Sequence, residues 1–308
     1  MAAGVGCPHT MAEVDEMIKC LRTRDPKELL DNEWEGHGGV VDFPFVPVID
    51  GTFLDQMPSK YLESKDFKKT NLLLGSNSEE GSFWLLYFLP WKFQMEFGSK
   101  DGLKRPPANV RFNMSDFRRA LNDMFRGYSK IVKEAIAYEY LDWLNPRDTL
   151  KLLDSLDKMI GDFHFTCAVN ELAYRYAEAQ QNSVYYYYFT QRSSVSPWPP
   201  WMGVLHADEI AFVFGEPLNP SKGYRKEDIQ LSRRMMRYWA NFARTGYSPT
   251  DIPFPDSHIS EYPASLSSED GRRKLRVGHK HIHKYTMPCS PVSRGFLSAI
   301  RATIDVAM

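Results

Sequence analysis

The hydrophobic positions of this chain change their spacing several times, and each change marks an element. Between residues 149 and 180, Leu152, Leu153, Leu156, Met159, Ile160 and Phe163 recur at the three- and four-residue interval of one helix face. Such a stripe predicts a helical run whose apolar face meets a core. Residues 228–244 repeat the pattern with Ile229, Leu231, Met235, Tyr238, Trp239 and Phe242, and Gly246 is placed to end that helix. Phe117, Leu121 and Phe125 predict another helix starting at Ser115. Residues 11–30, with acids and bases interspersed, predict one more, ended by Asp31 and by the prolines at 44 and 47.

Two stretches abandon the helical interval. Residues 71–75 form a compact apolar run bounded by Gly75, which predicts a buried strand followed by a loop over 76–81. Residues 183–190 hold Val184, four consecutive tyrosines and Phe189, the β-branched and aromatic bias of a second strand. Residues 45–50 are apolar, closed by Gly51, and read either as a strand or as a buried loop. Proline-bearing residues 103–111 and the Pro/Trp-rich residues 196–203 read as loops. Strands alternating with helices predict an α/β architecture. Beyond Tyr247, prolines, serines and a basic block over 271–284 interrupt any core pattern, so residues 248–308 read as a loosely ordered tail.

Composition narrows the function classes. With 43% hydrophobic residues in 308, the chain buries a sizeable core. A net charge of -1 supplies no general field for nucleic acid, which leaves small molecules or proteins as partners. No apolar run approaches the roughly 18 residues of a membrane-spanning helix, and the opening MAAGVGCPHTMAEVDE has no secretory-signal pattern. The four cysteines, at 7, 20, 167 and 289, lack zinc-finger spacing. His279, His281 and His283 alternate along an extended basic segment and do not converge as ligands, so neither a metal nor a cofactor is expected. Asn113-Met114-Ser115 fits the N-glycosylation pattern, which matters only in the secretory pathway.

Candidate chemistry sits in the loops that follow the two strands, where the carboxyl ends of a parallel sheet gather functional groups. Glu79 and Glu80 follow the first strand and His206 follows the second. A carboxylate that orients an imidazole is two thirds of a nucleophilic triad, and acid before histidine is the chain order of α/β-hydrolases. On spacing alone, a glutamate in a turn is more often a capping residue and a lone loop histidine more often structural. The G-x-S-x-G turn that would carry the nucleophile occurs nowhere in these 308 residues. Trp34, Phe83, Trp84, Tyr87, Trp198 and Trp201 fall in the same loops, and together they suit a lining for a quaternary ammonium, held by cation–π attraction.

Four strings then occur in a shared order: FVPVIDGTFL (45–54), LLLGSNSEEGSFWLLY (72–87), WMGVLHADEIAFVFGEPLNP (201–220) and MRYWANFARTG (236–246). Over residues 4–247 the chain resembles the cholinesterases, the type-B carboxylesterase group, and most closely its arthropod members. The resemblance implies the C-terminal part of an α/β-hydrolase fold, lacking the N-terminal half of the sheet, over residues 1–247. It implies hydrolysis of choline esters through a serine acyl-enzyme. By position, Glu80 in SEEGS resembles the triad acid and His206 in GVLHADE the triad base. Phe43 resembles an acyl-pocket wall, with Val41 where vertebrate members have a second aromatic. Phe83, Trp84 and Tyr87 resemble the gorge lining, Trp34 the tryptophan at the gorge mouth and Trp198 its interior neighbour. Glu209 matches a buried acid near the histidine. Ala207 stands where the family usually has glycine.

The resemblance further implies a Cys7–Cys20 disulfide, half of another at Cys167, an extracellular setting and a homodimer in the full-length family member. The family partner of Cys167 has no counterpart here, and the surroundings of Cys289 do not match it. Without the serine, this chain alone is expected to be inactive. A noncatalytic cholinesterase-like adhesion protein is the rival reading, and an aggregation-prone partial fold is a third.

Overall fold

The computed structural model describes residues 1–33, 45–93, 106–179 and 183–246, and the backbone of residues 275–277. The elements run α1 (Val14–Leu21), α2 (Pro26–Asp31), α3 (Pro58–Ser64), β1 (Leu72–Asn77), α4 (Ser82–Phe88) and α5 (Pro90–Phe93). Then follow α6 (Met114–Met124), α7 (Lys130–Tyr140), α8 (Thr149–Gly161), a π-helical turn (Asp162–Thr166) and α9 (Cys167–Glu178). The last elements are β2 (Val184–Phe189), α10 (Asp208–Val213), α11 (Lys226–Thr245) and β3 (Leu275–Val277).

The three strands form one parallel sheet in the order β1-β2-β3. Asn77 lies opposite Phe189, so the carboxyl ends of β1 and β2 stop level on one edge. A parallel pair needs a long crossover, and here α4 to α9 supply it. The alternation along β2 assigns its two faces. Val184 and Tyr186 pack with Ala173 of α9, while Phe189 packs with Phe212 of α10 and with Leu231 and Met235 of α11. Tyr185 and Tyr187, on the second face, make ring contacts with Phe242 and Trp239 of α11. Helices therefore cover both sides of the sheet, which is the layering that the α/β reading requires.

The largest core lies beyond the sheet, among α4, α6 and α8, where Leu85, Leu86, Phe117, Leu152, Leu156 and Ile160 have 2% exposure or less. Each such side chain contributes about 1.5–3 kcal/mol by leaving water. This core holds α8 against the loop that follows β1.

Several expectations change in detail. Residues 11–30 form two helices, because Pro26 takes the first position of α2 and the Asp25 side chain accepts from the Lys27 amide as its cap. β1 runs two residues past Gly75, which is inside the strand; a Cβ there would lie 2.2 Å from the Tyr187 carbonyl oxygen. The helical run from Thr149 holds the π-helical turn in its middle. Residues 45–50 are neither strand nor buried: Phe45, Val46, Val48 and Ile49 are all exposed, and Pro47 lacks the amide that a ladder would need there. Leu275–Val277 pair in parallel with Tyr187–Phe189 of β2.

Candidate active site

The site is assembled where β1 and β2 end. β1 leads directly into the turn that carries Glu79 and Glu80, and Ser82 then opens α4. From β2 the chain passes through the tryptophan-rich loop to His206, immediately before α10. The two loops are joined by an isolated parallel bridge between Glu79 and Leu205. The Glu79 amide donates to the Val204 carbonyl (3.1 Å), and its carboxylate accepts from the Val204 amide (2.7 Å). Gly203, at φ +70°, leaves room for that carboxylate, because a Cβ would lie 2.4 Å from its Oε2.

Glu80 and His206 meet directly. Nδ1 of His206 donates to Oε2 of Glu80 at 2.6 Å, and Oε1 of Glu80 accepts from the Asn77 amide at 2.7 Å. The carboxylate is 9% exposed and the imidazole 36%, so the acid is enclosed while the ring faces outward. The hydrogen bond that His206 donates to Glu80 raises the His206 pKa above its ordinary 6.5, against the opposing effect of burial, with the Glu80 and Glu209 charges adding to the rise. Among the described residues, Nε2 has no hydrogen-bond partner. An imidazole oriented through Nδ1 with Nε2 open is arranged to take and return a proton.

Glu209 sits behind this pair. Its Oε2 accepts from Asn77 Nδ2 at 2.7 Å, its Oε1 accepts from the Tyr187 hydroxyl at 3.3 Å, and Asn77 Nδ2 also donates to the Leu205 carbonyl at 2.7 Å. Burial, followed by the Glu209 charge, pushes the Tyr187 phenol upward. Ala207 has φ +72°, the left-handed region that glycine occupies freely and alanine does not.

Aromatic rings line the imidazole's surroundings. Phe83, Trp84, Tyr87 and Trp198 form one contiguous group, with Phe83 5.3 Å from Tyr87 and 5.7 Å from Trp198 between ring centres. Trp84 lies 5.8 Å from His206. One member was not foreseen: Phe165, in the π-helical turn, stacks on the His206 ring at 4.4 Å and 30°. Its only signal in the sequence is an aromatic-rich triplet, Phe163-His164-Phe165, inside a run whose spacing reads as an ordinary helix. Trp34, Phe43, Val41 and Cys289 lie outside the described residues.

Cys7 and Cys20 are disulfide-bonded, and Cys167 is disulfide-bonded as well. Among the described residues, no helix is long and apolar enough to cross a membrane, and no group of acids, histidines and cysteines is arranged to hold a metal ion.

The chain belongs to the carboxylesterase family, whose sequence profile matches residues 1–280, and the family's fold is the α/β-hydrolase fold. That match reaches past residue 247 and takes in β3. Its relatives include acetylcholinesterase of Bungarus fasciatus, 41% identical over 256 residues, covering 82% of this chain and 39% of the relative. Acetylcholinesterase 1 of Caenorhabditis elegans is 39% identical over 245 residues, covering 76% of this chain and 37% of that protein. Acetylcholinesterase of Electrophorus electricus is 33% identical over 310 residues, covering 91% and 47%. The chain thus spans less than half the length of the curated relatives it matches.

Proposed function

We propose that these residues supply the acid and the base of a serine hydrolase that cleaves choline esters, acetylcholine being the substrate indicated by the relatives' names. The observation that carries this reading is the 2.6 Å contact between Glu80 and His206, residues that each follow a parallel strand. In the proposed cycle, Nε2 of His206 takes the proton of a serine hydroxyl as it attacks the ester carbonyl, and returns it to the departing choline oxygen. Water then repeats the sequence on the acyl-serine. Glu80 keeps the imidazole in the required tautomer and stabilises the imidazolium. Phe83, Trp84, Tyr87 and Trp198 would offer ring faces to the trimethylammonium group; Trp34 and Phe43 are assigned, by resemblance, to the gorge mouth and the acyl pocket. Glu209 would hold Asn77 and Tyr187 behind the pair.

The reacting serine is not supplied by a G-x-S-x-G turn within these residues. The 308-residue chain alone is therefore expected to hydrolyse acetylthiocholine no faster than its His206→Ala variant, and turnover clearly above that variant would overturn the assignment. Two disulfide-bonded segments support an extracellular setting, because such bonds persist in oxidising compartments. Asn113, exposed at the start of α6, is then open to glycosylation, and the family's homodimer is the assembly expected of the longer protein. A degraded serine turn in the upstream reading frame would favour the adhesion-type reading instead.

A further inference from the structure

α8 meets the 78–81 turn with a consecutive pair, Asp157 and Lys158. Asp157 is 2% exposed on a helix whose other buried positions are mostly apolar, among them Leu152, Leu153, Leu156, Met159 and Ile160. A carboxylate in such a place is costly unless its oxygens are used. Oδ1 accepts from the Gly81 amide at 3.0 Å and Oδ2 accepts from Lys158 Nζ at 3.1 Å. Lys158 Nζ donates in addition to the Ser78 carbonyl at 3.2 Å and lies 3.9 Å from Oε1 of Glu79.

The turn is thus tied to α8 on both sides of Glu80, at Ser78 before it and at Gly81 after it. The backbones also touch. A Cβ on Gly81 would lie 2.1 Å from the Asp157 carbonyl oxygen, and one on Gly161 would lie 3.3 Å from the Glu80 Cβ. No side chain separates the helix from the turn, so loss of either tether passes directly to Glu80. Burial pushes the Asp157 carboxyl up to about 6, with the Lys158 ammonium opposing. For Lys158, burial acts to lower the pKa, but the Asp157, Asp154 and Glu79 carboxylates together raise it. The pair holds together because each member answers the other's charge.

We propose that Asp157 and Lys158 are positioning residues that fix the 78–81 turn so that the Glu80 carboxylate meets Nδ1 of His206. The inference rests on the reading of Glu80 and His206 as an acid–base pair, and it needs no contact between α8 and the substrate.

The test reads the histidine directly by nitrogen–proton NMR of the intact 308-residue chain, following the His206 titration midpoint and its Nδ1 proton. The parent chain should show a midpoint above the ordinary 6.5 and a downfield Nδ1 proton. Asp157→Ala removes the acceptor for Gly81 and should lower the midpoint by about half a unit or more toward the free-histidine value. Lys158→Met should act in the same direction, and Asp157→Asn, which keeps a carbonyl acceptor for the Gly81 amide, should recover most of the shift. Leu153→Ala on the same helix controls for lost stability: it should lower the melting temperature and leave the midpoint in place. If Asp157→Ala does not fold, Lys158→Met and Asp157→Asn carry the comparison against Leu153→Ala. A raised parent midpoint that Lys158→Met and Asp157→Ala leave unchanged, or that Leu153→Ala lowers equally, overturns the positioning role alone. A parent midpoint that is not raised overturns the acid–base reading and this inference with it.

Discussion

His206 donates through Nδ1 to Glu80 at 2.6 Å, although the two residues are 126 positions apart in the chain. Because Glu80 raises the His206 pKa, the contact is linked to pH. A histidine whose folded pKa lies above its unfolded value contributes stability that is fully present below about 6.5 and is lost as pH rises through the folded pKa. Glu80→Gln removes the charge that favours the imidazolium. It should lower the His206 midpoint and cost more stability at pH 5.5 than at pH 8.5 in urea titrations. An equal cost at both pH values would show that the contact does not bias protonation.

Asp162 also lowers stability as pH rises, but as a penalty acquired on ionisation and not as a gain that is lost. Burial pushes its carboxyl up to about 7, with the Tyr140 hydroxyl, which donates to it at 3.2 Å, acting to lower it. A raised carboxylate pKa is a penalty on folding that is absent below the unfolded value near 3.8, grows as pH rises toward 7, and is constant above it. Asp162→Asn should therefore gain melting temperature relative to the parent between pH 4.5 and pH 8, by a few degrees or more. Parallel melting curves over that interval would place the charge elsewhere.

Ala207 occupies the left-handed region directly after the histidine. An L-residue there costs on the order of 1 kcal/mol. Ala207→Gly should stabilise the chain by about 0.5–1 kcal/mol in chemical denaturation, with the Glu80–His206 signature intact; a loss of stability would mean that the alanine methyl group makes compensating contacts.

Phe45, Val48 and Phe53 are 65%, 66% and 89% exposed within ten residues of chain, an apolar surface that water does not favour. The 308-residue chain should bind a hydrophobic dye and self-associate as its concentration rises. Serine at Phe45 and Phe53 should reduce both without lowering the melting temperature, since neither ring is part of the described core. Unchanged light scattering in the double variant would remove this segment as the cause.

What was legible in the sequence follows from how local each signal is. The tyrosine run of β2 and the stripes of α8 and α11 are periodic over many residues, and Gly246 does cap α11 in the left-handed conformation. Glu80 and His206 were legible as a pair through chain order and resemblance, Phe83, Trp84, Tyr87 and Trp198 through their place in the same loops as well as resemblance, and Glu209 through resemblance alone; the structure brings these seven residues close together. The split at Asp25-Pro26 was readable from a capping residue and a proline, yet the charge pattern running through it obscured it. Phe165 was not readable, because a π-helical turn rotates every following side chain by an amount that no spacing in the sequence reveals. The Asp157–Lys158 tether was hidden for a related reason: an acid and a base inside a helix look like solvated positions until the packing of α8 encloses one of them.

Acetylthiocholine hydrolysis by a protein that carries these residues together with a G-x-S-x-G turn, compared with its His206→Ala variant, tests the proposed acid–base pair most directly. The parent is expected to hydrolyse the ester and the variant to lose activity by a factor on the order of 10⁴ or more. Hydrolysis that survives His206→Ala undiminished would contradict the pair's proposed role.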